Sequence, residues 1–502
     1  MKKILCIVFA LLMALSVFLT GCAEKPAVES TKEPDKPVDT SIATVEPATD
    51  AETGAPVVDD GLPDVRFDQN GQKREFRVLT SAVSQLDIYT EDHMINQAVH
   101  DSVRTRNLNV EERFGVKINV VVEEYQKVTQ IVKKLVKSNA DDYELCFVHM
   151  VNGAALAQNN EVLSFEKLPY VDLSQPWWDK DIKSGFSIRN NIMMVNGDIS
   201  PTSFNYTSCL YFNKRMFDAL DIEYPYKLAS EGKWTLDKLI EITKDVSKDM
   251  DNDGKITHDS SRDVFGITSY MLSVPYDFYY GAGGMLINKD EDDVPYYKPD
   301  IAVETRIYEK IYKALITNNA NFETDPAYEL NVIKIFTDGR AMFYDAILSS
   351  CEFLREMEDD YGILPEPKFD ENQKEYKTFV NGASSMVCVP ATVKPENREY
   401  VSIITEALAS EAYKVITPEL KEVYLKRKMT RDWESAEMVD IIVRHRIFDM
   451  AYVNMYDTLG SYVRDLLRNK STNVASKLST YEKQVPKKID KIVEAFDKSL
   501  AD

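Results

Sequence analysis

The chain has 502 residues, a formal net charge of −22 and a hydrophobic content of 44%. Its length allows two or three domains, and its hydrophobic content allows a sizeable core. The negative charge argues against nucleic acid as a partner, because phosphate binding needs a basic surface. The same charge predicts that the folded surface repels anionic lipid, so membrane association should come from an anchor.

The first 22 residues have the pattern of an export signal. Two lysines precede the apolar stretch Ile4–Phe18, and a Leu-Thr-Gly-Cys sequence then ends at Cys22. That sequence resembles the bacterial lipobox, in which the cysteine receives diacylglycerol and becomes the first residue after cleavage. We therefore expect a signal peptide at 1–21, a lipidated Cys22 and a location on the extracellular face of the cell membrane. The alternative is an ordinary cleaved signal that happens to contain a cysteine.

Residues 22–64 are predicted to form a disordered acidic tether. They contain six prolines, many acidic and small residues, and no aromatic residue. Such a segment cannot bury enough apolar surface to offset the entropy of ordering. As a flexible coil of about 40 residues, it would separate its two ends by on the order of 35 Å.

The body begins with alternating strand and helix signals. Strands are predicted at Phe76–Thr80, Val116–Val122 and Tyr143–Met150, and helices at 95–114 and 128–136. This order predicts a parallel sheet with helices on its faces. Further on, helices are predicted from Thr235 (as the N-cap) and at 307–316, and short strands at 361–365 and 386–390. The last hundred residues are predicted to be mostly helical, with Pro486 starting or kinking the final helix.

Four cysteines remain after the signal and the lipidation site. They are Cys146, Cys209, Cys351 and Cys388. Four cysteines allow three full pairings, and the sequence cannot choose among them. None has the spacing of a metal site. We expect free thiols, because Cys146 and Cys388 lie inside apolar runs, as buried free cysteines often do.

An acidic loop provides the most specific motif in the chain. Asp249, Asp251 and Asp253 occupy positions 1, 3 and 5 of an EF-hand loop, and the glycine at position 6 permits a sharp turn. Lys255 would add its backbone carbonyl. The loop therefore predicts a structural Ca²⁺ site, and the alternative is a solvated acidic turn.

The end of this loop departs from the EF-hand pattern. Position 12 is Ser260, where an EF-hand has a bidentate glutamate. A later carboxylate, such as Asp259 or Asp263, must then complete the coordination shell.

Several stretches of the chain together resemble a known family. They are Glu111–Val116, Pro176–Asp179, Val195–Ser200, Tyr211–Lys214, Gly232–Leu236 and Phe336–Phe343. With the lipobox and the opening strand–helix–strand unit, their order resembles the extracellular solute-binding lipoproteins of bacterial ABC importers, in the sugar-type branch (family 1). The resemblance covers roughly residues 75 to 460, and no single stretch is diagnostic.

The resemblance implies an α/β, periplasmic-binding-protein-like fold of type II with a helix-rich C-terminal part. Two lobes would be joined by a hinge, with ligand held in the cleft between them. We expect residues 65–198 and about 340–395 in the first lobe, and 199–339 and about 396–502 in the second. The chain should cross between lobes near Gly197 and return near Gly339. Ligand that contacts both lobes would favour a closed state that a membrane permease recognises.

Aromatic residues are the first candidates for the ligand site. Trp177 and Trp178 could stack on the CH face of a pyranose and donate their indole N–H groups to hydroxyls. A second cluster, formed by Tyr276, Tyr279 and Tyr280, precedes a glycine-rich turn that lets backbone approach ligand closely. For both clusters, the alternative is ordinary packing inside the protein.

Polar residues near the expected crossings are weaker candidates for binding sugar hydroxyls. They are Asp198, Asn205, Tyr206 and Arg340. Each of them could equally be a hinge or cap residue.

The resemblance favours a monomeric receptor that captures a carbohydrate, with an oligosaccharide expected, and delivers it to an ABC permease. No catalytic residue is predicted: the histidines lack metal-binding spacing, and the chain has no GxSxG elbow. The alternatives are a receptor for peptide or another solute, an extracellular carbohydrate-active enzyme, and an adhesin or sensor accessory.

Overall fold

The computed structural model describes residues 59–88, 97–323, 329–421 and 430–501. The predicted signal peptide, the lipidation site at Cys22 and most of the predicted tether lie outside the described residues. The described residues belong to one compact unit. Within these ranges, no helix combines the length and the apolar character needed to cross a bilayer.

Thirteen strands occur in the described ranges. They are β1 (Arg74–Ser81), β2 (Val116–Glu123), β3 (Leu145–His149), β4 (Ser208–Asn213), β5 (Phe265–Tyr270), β6 (Ile287–Lys289), β7 (Pro295–Tyr297), β8 (Asn321–Glu323), β9 (Ala341–Ile347), β10 (Tyr361–Leu364), β11 (Thr378–Phe379), β12 (Ser385–Cys388) and β13 (Arg446–Ile447).

The α-helices of the described ranges run from four to 24 residues, and the longest is Pro395–Pro418. They are α1 (Gln97–Phe114), α2 (Tyr125–Ser138), α3 (Met150–Gln158), α4 (Ile182–Phe186), α5 (Thr202–Asn205), α6 (Lys214–Ala219), α7 (Tyr226–Ser230), α8 (Leu236–Thr243), α9 (Val274–Gly281), α10 (Ile301–Tyr312), α11 (Glu329–Thr337), α12 (Pro395–Pro418), α13 (Trp433–Arg444), α14 (Met450–Asn454), α15 (Tyr462–Arg468), α16 (Val474–Ser479) and α17 (Val485–Ala501).

The first sheet has four strands in the order β12-β3-β1-β2. β1 runs parallel to both β2 and β3, as the alternating strand and helix signals predicted. β12 joins antiparallel to β3 from a much later part of the chain. α12 packs against α1 on this sheet, and the Tyr400 ring meets the Phe76 ring edge-on at 5.8 Å.

The second sheet has five strands in the order β10-β4-β9-β5-β8. Its central strands are buried on both faces: in β4, Tyr211 joins one hydrophobic cluster and Phe212 joins the other. A strand buried on both faces shows no alternation of polar and apolar residues. For this reason the sequence patterns did not predict β4, β5 or β9.

The strand pairing differs from the predicted division of the chain. β9 and β10 belong to the second sheet, although 340–395 was assigned to the first lobe. Gly339 lies in the turn between α11 and β9 with a φ of 69°, so the chain does not leave the second sheet there. α12 packs on the first sheet, although it was assigned to the second lobe. The lobe boundaries themselves stay a prediction.

Two predicted helix starts are confirmed. The Thr235 side chain caps α8 by accepting a hydrogen bond from the Lys238 amide at 3.4 Å. α17 begins at Val485, so Pro486 occupies the first turn, where a missing amide donor costs nothing.

Candidate functional site

Two chain segments connect the sheets. The first crossover (193–207) leads into β4, and the second crossover (379–387) runs into β12. They pair with each other at both ends: a bridge joins Val195 to Val387, and another joins Thr207 to Val380. The Asn381 amide also donates to the Tyr206 carbonyl at 2.9 Å. The crossovers therefore form one double-stranded connection.

Both sheets direct the carboxyl ends of their parallel strands towards this connection. The amide of Met150, directly after β3, donates to the Ser384 carbonyl at 2.9 Å. The amide of Leu348, directly after β9, donates to the Thr207 carbonyl at 2.9 Å. β1 and β2 share the direction of β3, and β5 shares that of β9. In open α/β sheets, ligands bind outside the carboxyl ends of the strands.

A buried polar junction fixes the first sheet to both crossovers. Asp87 follows β1 and is fully buried. Its Oδ1 accepts from the Thr202 amide at 2.7 Å, and its Oδ2 accepts a short hydrogen bond from the Ser385 hydroxyl. Ser385 also bonds the Ser200 hydroxyl at 2.6 Å. Burial raises the pKa of Asp87 to about 6, against hydrogen bonds from Ser385 and Thr202 that lower it.

Arg106 completes this junction from α1. Its guanidinium is fully buried and donates to the carbonyls of Asp87 at 2.8 Å and Ile199 at 3.2 Å. It also donates to the side-chain oxygen of Asn107. A buried charge is stable only with such partners, so Arg106 holds the turn after β1 against the first crossover.

Exposed apolar side chains line the strand ends on both sheets. After β1 and β2, Val83 is 42% exposed and Tyr125 is 37% exposed. After β5 and β9, Leu272 is 38% exposed and Phe353 is 55% exposed. We call the first pair the first rim and the second pair the second rim. Sequence motifs did not identify either rim: the first rim follows two predicted strands, but the strands before the second rim were not predicted.

His149 lies behind the first rim at the end of β3. Its ring is 5.3 Å from the Tyr125 ring, centroid to centroid. Burial lowers the pKa of His149 to about 4, so the imidazole is neutral at physiological pH. The first rim therefore presents an aromatic surface without added positive charge.

The structure buries Trp177 and Trp178 away from solvent, with 0% and 2% of their surface exposed. Their indole N–H groups donate to the two carboxylate oxygens of Glu406 at 2.8 and 3.0 Å. Gly197 is required here, because a Cβ on it would lie 2.3 Å from the Trp177 carbonyl oxygen. In this conformation neither ring offers a face to a ligand.

Three predicted polar residues lie on the first crossover. Asp198 is nearly buried, its amide donates to the Trp177 carbonyl at 2.8 Å, and burial raises its pKa to about 6. Asn205 and Tyr206 follow at the end of α5 and are half-buried. The Oδ1 atom of Asn205 has no hydrogen-bond partner among the described residues.

The tyrosine cluster of α9 is buried inside the protein. Tyr279 donates to Glu304 at 2.9 Å, and Tyr280 donates to Asp449 at 2.7 Å. With Tyr276 they line a cavity of about 10 Å³, the volume that one water molecule needs. The cluster is too closely packed to admit a sugar ring in this conformation.

A buried carboxyl triad, which sequence patterns did not identify, lies under α9. Asp277, Asp345 and Glu366 are all at most 1% exposed. Ser208 donates to Asp277 at 2.5 Å, and Ser269 donates to Asp345 at 2.7 Å. No ion pair to these carboxyls occurs in the described part of the chain. Burial raises the pKa of Asp345 to about 7, and burial and the neighbouring carboxyl raise the pKa values of Asp277 and Glu366 well above their ordinary range.

Arg340 lies away from the crossovers. Its guanidinium donates to the carbonyls of Ser260 and Asp263, each at 3.1 Å. Arg340 thus packs against the end of the acidic loop, and no other predicted ligand-binding residue lies with it.

Three carboxylates converge in the acidic loop. Oxygens of Asp249, Asp251 and Asp263 lie within 4.8 Å of one another. Of the two later carboxylates considered, Asp259 and Asp263, Asp263 is the one that lies with the predicted ligands. The Ser260 hydroxyl donates to Asp251 at 2.6 Å, and the Asp253 carboxylate accepts from the Lys255 amide at 2.8 Å.

Comparison with known proteins gives matches to solved structures alone. No family model matches the sequence, and no curated protein matches it. A cyclo/maltodextrin-binding protein complexed with maltotetraose shares 13% identity at a TM-score of 0.52, over 86% of this chain and 99% of that one. UspC of M. tuberculosis shares 11% identity at a TM-score of 0.51, over 84% of this chain and 100% of that one. The GacH receptor of Streptomyces glaucescens, solved in complex with acarbose, shares 12% identity at a TM-score of 0.50, over 86% and 99%.

At these identities the likeness shows the fold. It spans nearly the full length of each solved chain, so the whole architecture is shared and not only one sheet. The resemblance seen in the sequence is thereby confirmed at the level of the fold: the chain has an α/β, periplasmic-binding-protein-like fold.

Proposed function

We propose that the protein is a receptor that binds a carbohydrate in the crevice outside the strand ends, between the first and second rims. The observation that carries this proposal is the convergence of both sheets on one double-stranded connection, with exposed apolar side chains on each side of it. A ligand that contacts both rims would bind the closed arrangement better than an open one and so shift the population towards it.

The chemistry of the crevice suits a sugar. Tyr125 and Phe353 offer ring surface that can stack on the CH face of a pyranose. The Oδ1 atom of Asn205 on the first crossover is buried without a partner among the described residues, so a sugar hydroxyl could donate to it if the crossover opened on binding. Two of the fold's solved relatives were crystallised with maltotetraose and acarbose, which supports an oligosaccharide as ligand.

Titration of purified protein with a panel of oligosaccharides tests the proposal. For the sugar that binds, Phe353→Ala should weaken binding by about 1 kcal/mol, or roughly fivefold, because a stacked ring is lost. Tyr125→Ala should have a similar effect. Tyr296→Ala is the matched control, since Tyr296 is 42% exposed on β7, a strand of the separate two-stranded sheet β6-β7.

Other outcomes of the titration point to other functions. Binding of peptides with no response to any sugar would indicate a different solute. Release of shorter sugars would indicate an enzyme. Equal affinity in the wild type and both rim variants would remove the rims from the site.

The proposal includes delivery to an ABC permease by a monomer tethered through Cys22 on the extracellular face of the membrane. The lipobox-like sequence supports the anchor. Labelling of producing cells with palmitate should mark the wild type and not Cys22→Ala, and the variant should move from the membrane fraction to the medium. Retention of the variant in the membrane would contradict the anchor.

We also propose Ca²⁺ as a structural ion in the acidic loop. Hard oxygen donors at short mutual distances fit this ion: Asp249, Asp251 and Asp263 supply the three converging carboxylates. A bound ion would neutralise their mutual repulsion and hold the chain before β5. It would have no part in ligand chemistry, because the loop lies apart from both crossovers.

A further inference from the structure

Two buried cysteines face each other inside the first sheet. Cys146 in β3 is the direct partner of Cys388 in the antiparallel strand β12. Both side chains are fully buried, and both are free thiols. A hydrogen-bond contact between the two thiols contributes to the raised pKa of Cys146, which burial raises most. The strand register therefore places two thiols side by side.

This placement meets the geometric requirement of a disulfide. Directly opposed residues of antiparallel strands have Cα atoms about 4.5 to 5.5 Å apart and side chains on the same face. Disulfides span Cα separations of about 4.4 to 6.8 Å. A small rotation of each side chain would bring the sulfurs to bonding distance without moving either strand.

The other two cysteines provide an internal comparison. Cys209 in β4 is opposite Ala346 of β9, so no ladder places a cysteine across from it. Cys351 lies in the 3₁₀ segment Leu348–Leu354, where its amide contacts the Tyr211 hydroxyl. Both are buried, but their backbone positions do not oppose each other.

We propose that Cys146 and Cys388 are joined by a disulfide as the chain folds outside the cytoplasm. This rests on the proposed export, because disulfides persist in oxidising compartments. The oxidant would be a second disulfide compound. One cysteine thiolate attacks that disulfide and releases a thiol; the other thiolate then attacks the mixed disulfide and releases the second thiol. The two cysteines lose two protons and two electrons, and the donor disulfide gains them.

The disulfide should form while the chain folds, and not after folding is complete. Once β12 has paired with β3, both sulfurs are out of reach of solvent. Since exchange requires an accessible thiolate, a buried protonated thiol reacts slowly. A chain that folds reduced should therefore remain reduced, and a chain that folds oxidised should keep its bond.

The bond would fix the end of the second crossover beside the crevice. Val387, the residue before Cys388, is paired with Val195 of the first crossover. The carbonyl of Ser384 already holds the amide that follows β3. A covalent link between β3 and β12 would therefore prevent β12 from separating from the first sheet when the protein opens or unfolds.

The test is refolding of the full chain in an oxidised and reduced glutathione mixture, followed by alkylation in denaturant and peptide mapping without reductant. The expected result is a peptide that joins Cys146 to Cys388. Cys209→Ser should retain this link, and Cys388→Ser should lose it. Wild type refolded under reducing conditions should have a Tm several degrees below that of wild type refolded under oxidising conditions, and Cys388→Ser should show no such difference.

Two outcomes would overturn the proposal. In one, Cys146 and Cys388 carry the alkyl label after oxidative refolding; in the other, the links join other cysteine pairs instead. Sugar titration of the same preparations reports on the receptor function separately, since the link is read by mass and needs no ligand. A missing link with intact sugar binding would therefore refute the disulfide alone.

Discussion

The two sheets accommodate buried carboxyl groups in different ways. In the first, Asp87 accepts hydrogen bonds from an amide and a hydroxyl of the two crossovers, with Arg106 beside it. In the second, the carboxyls of the triad face one another and two serine hydroxyls, without a cation among the described contacts. A buried charge without donors is costly, so the triad needs protons in place of donors, whereas the donors to Asp87 limit its raised pKa to about 6.

This difference assigns separate roles to the two regions. Donors from both crossovers fix the polar junction, so the first sheet serves as a rigid base for the crevice. The triad has few donors and depends on protonation, so stability around the second sheet should fall over a wider pH range than stability around Asp87, whose pKa burial raises only to about 6. The variants below test whether donors and protons have these separate effects.

The largest effect is expected from Arg106→Met. The substitution leaves the carbonyls of Asp87 and Ile199 buried without a donor, which should lower the free energy of unfolding by about 4 kcal/mol. Urea denaturation measures this change in the free energy of unfolding. Arg104→Met, on the exposed face of α1, is the control and should change stability by no more than about 0.5 kcal/mol. Equal effects of the two variants would mean that Arg106 does not hold the junction.

Glu406→Ala tests a second buried carboxyl with donors, whose pKa burial raises to about 8 against the hydrogen bonds from Trp178 and Trp177 that lower it. Removing the carboxyl leaves the indole N–H groups of Trp177 and Trp178 buried and unpaired, at a cost of about 3 kcal/mol. Glu406→Gln keeps one acceptor and should cost about 1 kcal/mol. Thermal or urea unfolding separates the two values. If sugar affinity falls and stability does not, the tryptophans belong to the ligand site.

The pH dependence of stability tests the triad. Burial raises the pKa of Asp345 to about 7, so the folded state holds a proton that the unfolded state releases near pH 4. Stability is then full below pH 4 and falls as pH rises through 7. Asp345→Asn should remove on the order of 2 kcal/mol of this decline. Denaturation of both proteins between pH 4 and 8 gives the comparison, and parallel profiles would contradict the account.

The smallest effect is expected from calcium. A structural ion that binds the folded state raises the Tm by mass action, so chelation should lower the Tm by a few degrees. Asp251→Ala should remove that difference, while Asp259→Ala, whose carboxylate is outside the converging set, should retain it. An unchanged Tm after chelation of calcium-loaded protein would refute the proposed ion.

The first sheet could be predicted from sequence because its elements carry local periodicity. β2 alternates polar and apolar residues, and α2 repeats its apolar residues every three or four positions. These patterns predicted the bounds of both elements to within a few residues. The second sheet could not, because β4 is apolar on both faces. Strand order also depends on contacts between distant residues, such as Ser385 with His149, that no local pattern encodes.

The candidate site was predicted less well than the fold, for a physical reason. Tryptophans suit both sugar stacking and packing, and only burial separates these roles: Trp177 and Trp178 lie inside, on Glu406. Phe353, which is 55% exposed six residues after β9, has no distinctive sequence context. The acidic loop was readable because its ligands are local, but Asp263 needed the folded turn to be selected over Asp259.

The most direct test of the proposed receptor is a thermal-shift screen of the wild type beside the double variant Tyr125→Ala/Phe353→Ala, against oligosaccharides, amino acids and peptides. The account predicts that at least one oligosaccharide raises the Tm of the wild type without being cleaved, and raises that of the double variant much less. An equal rise in both proteins, or a rise with peptides alone, would contradict it.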